Sequence, residues 1–239
     1  MNPGVFITGS GTGVGKTWFS RAISAALRAR GIDVAALKPL ETGCDPDPLD
    51  AQALAHACGK PELANVRSLY RTLQPVAPLA ATLMGAPPPP SAATLAYECN
   101  LISADAEFVL VEGAGGILVP ISERETTADL AEHCGLPLVI ISRDALGVLS
   151  YTLTAFEAAR HRQLPVAAVV LTSHQAADPD VSSITNAEIL ERILPDIPVL
   201  VMPYAEHESD EALASLAENA ALVDSLLASI GWTDPKAAD

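Results

Sequence analysis

The chain has 239 residues, which suits one α/β domain or two small ones and is ample for a hydrophobic core. Its formal net charge of −15 provides no basic stripe to displace counterions from phosphates, which argues against nucleic acid as a partner but allows a local pocket for a small anion. Hydrophobic residues make up 49% and charged residues 18%, and no apolar run is long enough to span a bilayer, so a folded soluble protein with no membrane partner is expected.

The N-terminal MNPGVFITG lacks the basic start of a signal peptide, and strand-type residues begin at once with VFIT (5–8). After the glycine-rich stretch 9–17, Phe19, Ile23, Ala26, Leu27 and Arg30 follow the spacing of one helix face. VAALK (34–38) reads as a second strand. Residues 43–90 are less regular: a weak helix over about 49–58, proline-interrupted segments, then GAPPPPS (85–91), read as a stiff connection. Ser91 is placed to cap a helix over about 92–105. FVLVE (108–112), LVIIS (138–142), VAAVVLT (166–172) and VLVM (199–202) complete the apolar runs. A stripe from Leu213 through Leu216, Ala217, Ala220, Val223, Leu226 and Leu227 to Ile230 predicts helical core packing, and GWTDPKAAD (231–239) reads as a frayed tail.

The runs are continuous rather than alternating, as in strands buried on both faces. Strand–helix alternation with short links then predicts a doubly wound α/β fold: one mainly parallel sheet flanked by helices, in a single domain over 1–230. Cys44, Cys58, Cys99 and Cys134 include no CxxC pair and read as reduced thiols in a cytoplasmic protein.

GSGTGVGKT (9–17) lies between the first strand and the first helix, the context a P-loop requires. Its glycines permit close backbone approach, and successive N–H groups at a helix N-terminus form an anion nest. Lys16 is expected against the β- and γ-phosphates, with the Thr17 hydroxyl on Mg²⁺. The loop is a variant: Ser10 stands where the usual spacing puts glycine, and Gly9 lies one residue earlier. Glu112 ends a strand on the side where ligands collect, and suits a Mg²⁺-side acid, although an acid there could instead cap the next turn. Gly113, Gly115 and Gly116 would let backbone lie against a ligand. In VAALKPLETGC (34–44), Lys38 also ends a strand, so two lysines should converge on one crevice; a lysine facing solvent is the alternative. A second ammonium is useful where the phosphoryl acceptor is itself an anion, because cations offset the repulsion.

At this point the sequence resembles the dethiobiotin synthetases. The matching pieces are TGSGTGVGKT (8–17), KPLETGC (38–44), the acid in PLDAQAL (48–54), PVAPLAA (75–81), VLVEGAGGILVP (109–120), TTADLA (126–131) and the late PY pair (203–204). The resemblance implies ATP-dependent carboxylation of 7,8-diaminopelargonate with CO₂ (or bicarbonate) and closure to a cyclic urea, with release of ADP and phosphate. It implies that Gly13, Val14, Gly15, Lys16, Thr17 and Trp18 hold the ATP phosphates, and that Thr17, Asp50 and Glu112 surround Mg²⁺. It further implies that Lys38 is the catalytic lysine, that Thr42 bonds the carbamate, and that Thr12 lies near the amines. Glu112, Gly113, Ala114 and Gly115 would line the nucleotide site, with Thr172, Met202, Pro203 and Tyr204 near the base. A homodimer is implied too, the substrate tail reaching a helix start near Leu146, Gly147 and Ser150 of the other subunit. Read alone, Asp50 could equally cap the helix near 51–58. The chain departs from the family at Gly11, Gly13, Leu79, Ser150, Tyr151 and Thr172.

Switch ATPases of the ParA/MinD type resemble the same fold but carry a lysine where Gly11 stands. Glu211, Glu218 and Asp224 on the terminal stripe disfavour anionic lipid. A glutamine-dependent amidotransferase would need a further domain, and GKT favours a nucleoside triphosphate over a dinucleotide.

Overall fold

The computed structural model describes residues 2–173 and 181–233. Its strands are β1 (Gly4–Gly9), β2 (Val34–Leu37), β3 (Leu40–Thr42), β4 (Tyr70–Thr72), β5 (Phe108–Gly116), β6 (Leu138–Arg143), β7 (Val166–Thr172) and β8 (Val199–Met202). Its helices are α1 (Lys16–Ala29), α2 (Leu49–Ala57), α3 (Pro78–Leu83), α4 (Ala92–Ile102), α5 (Thr127–Cys134), α6 (Val148–His161), α7 (Ser183–Ile193), α8 (Asp210–Asn219) and α9 (Leu222–Ser229).

The six apolar runs become a six-stranded parallel sheet in the order β2-β5-β1-β6-β7-β8. Phe6, Ile7, Phe108, Leu110 and Ile140 are fully buried, which is why these strands carry no polar face. α1 packs with α2, α8 and α9, while α4 packs with α5, and α6 with α7. The chain leaves β1 toward β2 on one side and later builds β6 to β8 on the other. The strand order therefore reverses beside β1, and a crevice opens at the strands' C-terminal ends.

Several local expectations need correction. The stripe 213–230 is not one helix: α8 and α9 are separated at Ala221, whose φ is 53°. The break lets α8 pack on α1 while α9 turns onto β7 and β8, and Leu213, Ala217, Val223 and Leu226 are buried as the stripe requires. Arg30 does not join the core face of α1; it pairs with Glu218 and Asp224. The irregular region contributes β4, which pairs in parallel with β3 just before that region as a second, two-stranded sheet, Leu40 facing Tyr70 and Thr42 facing Thr72. The Ser91 hydroxyl does cap α4, accepting from the Thr94 N–H at 3.2 Å, but the helix stops at Ile102, where the Ser103 hydroxyl donates back to the Cys99 carbonyl at 2.7 Å.

Trp232, in the stretch read as a frayed tail, stands edge-on to Phe108 with ring centroids 6.0 Å apart; residues 234–239 lie outside the described residues. All four cysteines are free and buried, and burial pushes the Cys99 and Cys134 thiols well up. No helix among the described residues is long and apolar enough to cross a membrane.

Candidate active site

β1 delivers the chain to the crevice at Gly9, and residues 10–15 turn back into α1. Gly15 caps that helix in the left-handed region, with φ 89°, a conformation that costs other residues free energy. No acidic side chain occupies the first turn of α1, so none competes with an anion for the positive end of its dipole. The loop is tied down from β6 and β7: the Ser10 N–H donates to the Ile141 carbonyl at 2.8 Å, and the Thr172 hydroxyl donates to the Val14 carbonyl at 2.7 Å. Lys16 folds over the loop and donates to the Gly11 carbonyl at 3.2 Å. Burial lowers its pKa to about 8, with the Lys38 charge pulling in the same direction and Glu112 and Asp50 opposing.

Lys38 follows β2, and its Nζ donates to Glu112 Oε1 at 2.6 Å and to Asp50 Oδ2 at 2.8 Å. Burial alone would pull this ammonium down, but Glu112 and then Asp50 hold its pKa above the ordinary lysine value. Glu112 comes from the middle of β5 and is wholly buried; its Oε1 also accepts from the Thr17 hydroxyl at 2.8 Å. Its Oε2 has no hydrogen-bond partner among the described residues. Burial also works against the Asp50 charge, but Lys38, assisted by the Thr17 hydroxyl and Lys16, keeps its pKa below the ordinary carboxylate value.

Asp50 does not cap α2. The N-cap is Pro48, which offers no side-chain acceptor, and Glu41 of β3 takes over that role. One Glu41 oxygen accepts from the Asp50 N–H at 2.7 Å and the other from the Ala51 N–H at 3.0 Å.

Lys16, Thr17, Lys38, Glu41 and Asp50 border a cleft of about 520 Å³, whereas Glu112 is buried and does not line it. Thr12, Gly13, Gly15, Lys16, Thr17, Trp18, Lys38, Thr42, Asp50, Ala114 and Gly115 line it, so most of the residues singled out in the sequence are brought together. Leu40, Glu41, Pro75, Val76, Ala77, Pro78 and Val119 complete the wall. Sequence reasoning assigned none of these seven a role, although PVAPLAA contains four of them. A second hollow of about 340 Å³ shares Thr17, Trp18 and Asp50 with the first and continues to Arg21, Ser173, Tyr204, Ala205 and Glu208.

Other expected positions lie elsewhere. Gly113 faces packing rather than the cleft: a Cβ there would sit 2.8 Å from the Thr127 methyl and 3.0 Å from the Phe6 ring. Thr172 and Met202 are fully buried, the former with its hydroxyl committed to the loop. Pro203 lines neither cavity. Leu146, Gly147 and Ser150 stand at the start of α6, outside both cavities, with Leu146 and Ser150 exposed.

The protein groups that could ligate a divalent ion are all oxygen: Thr17 and Asp50, which line the cleft, and Glu112, which is fully buried with its Oε2 unpartnered. That set fits Mg²⁺, which keeps waters and phosphate oxygens in its shell. Among the described residues no group of three or more His, Cys, Asp or Glu could cage an ion.

The family model described as "AAA domain" matches residues 3–210. The ATP-dependent dethiobiotin synthetase of Anaeromyxobacter dehalogenans is 37% identical over 202 residues, covering 84% of this chain and 90% of its own length. That of Phenylobacterium zucineum is 36% identical over 231 residues, covering 88% and 94%. The chain belongs to the dethiobiotin synthetase family. Outside this family, a MinC:MinD cell division protein complex from Aquifex aeolicus (TM-score 0.57, 14% identity, 98% of each chain) and a ParA family ATPase from Chlorobium tepidum (TM-score 0.53, 13% identity, 96% of this chain and 99% of the other) share the fold alone. A dethiobiotin synthetase is an ATP-dependent ligase.

Proposed function

We propose that this protein makes dethiobiotin from 7,8-diaminopelargonate, CO₂ and ATP. One amine adds to CO₂ and loses a proton, giving a carbamate. A carbamate oxygen attacks the γ-phosphorus, the bond to ADP breaks, and a carbamic–phosphoric anhydride forms. The second amine then attacks the carbamoyl carbon, phosphate leaves, and the urea ring closes.

In this reading the N-terminus of α1 and Lys16 hold the phosphates. Lys38, kept protonated by Glu112 and Asp50, offsets the repulsion between two anions as they approach. Thr42 orients the carbamate and Thr12 the amines, since both line the cleft. The apolar wall of Leu40, Val76, Ala77 and Val119 suits an alkyl chain. Tyr204 borders the second hollow, which would take the base and ribose. Thr17, Asp50 and Glu112 would hold Mg²⁺, which when bound neutralises charge on the β- and γ-phosphates. A homodimer would bring the start of α6 from a second subunit to the substrate tail; the absence of acidic residues in its first turn supports a role in holding a carboxylate. Four free thiols support a reducing, cytoplasmic setting.

The observation that carries the proposal is the Lys38 ammonium between Asp50 and Glu112 on the wall of the phosphate-loop cleft. The test is incubation with Mg²⁺–ATP, diaminopelargonate and ¹³C-bicarbonate, with products read by mass. Labelled dethiobiotin, with ADP release dependent on both co-substrates, is expected. ATP turnover indifferent to both, and raised by another protein, would favour a nucleotide switch.

A further inference from the structure

We propose that Glu41 is a positioning residue for the phosphoryl-transfer site: by capping α2 from β3 it fixes Asp50 against Lys38. The proposal rests on the synthetase reading and adds a carboxylate that makes no phosphate contact in it.

The geometry is specific. A helix start needs acceptors for its first N–H groups, and Pro48 offers none. Glu41 is only 6% exposed and spans two adjacent N–H groups, those of Asp50 and Ala51, with one oxygen on each. Asp50 is thus held by its own backbone while its side chain receives the Lys38 ammonium. Glu41 and Lys38 lie three residues apart in one segment, so helix and strand end are joined twice, by backbone to Glu41 and by side chain to Lys38. Arg71 of β4 braces the same segment by donating to the Lys38 carbonyl at 2.8 Å. Asp50 is the half-exposed member of the carboxylate pair, with 42% of its side chain open, whereas Glu112 is walled in by β5. Asp50 is therefore the acid whose aim depends on something outside its own packing.

Three measurements test this. In Glu41→Ala, the amides of Asp50 and Ala51 should exchange with deuterium about tenfold faster, with α1 and the main sheet unchanged. The gain in affinity that Mg²⁺ gives to a non-hydrolysable ATP analogue, read by calorimetry, should shrink by about tenfold, while binding without Mg²⁺ holds. In an Asp50→Asn background the same substitution should remove less than about twofold of that gain, because its effect passes through the Asp50 carboxylate. Glu41→Gln keeps an acceptor for one of the two N–H groups, so it should lie between wild type and alanine, and it carries the test if alanine prevents folding. An unchanged Mg²⁺ gain in the alanine variant (or in the glutamine variant, if that is the one that folds), or equal losses in both backgrounds, would overturn the proposal. None of these arms uses diaminopelargonate. Wild-type protein that binds Mg²⁺–ATP yet makes no dethiobiotin would therefore count against the synthetase reading and leave the Glu41 measurement to be judged separately.

Discussion

Replacing Lys38 by methionine separates what its ammonium does for the fold from what it does for the reaction. Lys38 is 5% exposed and Glu112 is 0% exposed, so removing the cation strands a wholly buried carboxylate. Asp50 suffers less, because 42% of its side chain reaches solvent. Breaking a buried pair by removing one partner costs about 3–5 kcal/mol. The Thr17 hydroxyl remains on Glu112 and Lys16 remains nearby, so the loss should fall at about 3 kcal/mol, the low end of that range. Methionine fills a similar volume, which leaves little cavity term. Adding Glu112→Gln removes the stranded charge, and the double variant should recover to within about 1 kcal/mol of wild type, the cost of one lost hydrogen bond. Turnover should behave differently: the Lys38→Met variant should lose about 10²–10³-fold, because the ammonium that offsets anion repulsion is absent, and the double variant at least as much, because the Glu112 carboxylate is gone too. Urea denaturation at pH 7 and dethiobiotin formation read by mass give the two quantities. Equal stability of the single and double variants would refute the bridge across Glu112, and near-wild-type turnover would refute the role of the second lysine.

Thr172→Val removes the donor that holds the Val14 carbonyl; a stability loss of about 1 kcal/mol, with a raised KM for ATP and an unchanged sheet, is expected from denaturation and steady-state kinetics. Gly113→Ala places a methyl 2.8 Å from Thr127 and 3.0 Å from Phe6, and should cost about 1–3 kcal/mol by overpacking, measured as a lower denaturation midpoint. Lys16 must be charged to hold phosphate, and burial has lowered its pKa to about 8, so ATP affinity should be full below pH 8 and fall by up to tenfold per pH unit above it, with proton uptake on binding visible by calorimetry in buffers of different ionisation heat. The same shift has the opposite sign for stability. The unfolded chain holds that proton up to the ordinary value of 10.5, so the ligand-free fold pays for a charged Lys16 below pH 8 and recovers that cost as pH rises from 8 to 10.5.

The six sheet strands were legible because burial on both faces writes itself as a continuous apolar run, and the phosphate loop because its glycines, lysine and threonine are contiguous between a strand and a helix. β3 and β4 were not legible: strands of three residues are too short for any periodicity to show, and their pairing joins segments about thirty residues apart. The terminal stripe had the right buried residues and the wrong continuity, since a left-handed Ala221 leaves no mark in a hydrophobic pattern.

By itself, then, the amino-acid order determined the sheet, the phosphate-loop context before α1 and the placing of Lys16, Lys38 and Glu112 at strand or helix ends, all of which rest on neighbours along the chain, whereas Asp50 was singled out only by the family resemblance. Only the tertiary structure decided that Lys38 lies on Glu112, that the Thr172 hydroxyl holds the Val14 carbonyl, and that Glu41 rather than Asp50 caps α2. Those contacts join residues separated by 74, 158 and 9 positions, and which oxygen meets which N–H is set by the parallel register of strands and the seating of helices upon them.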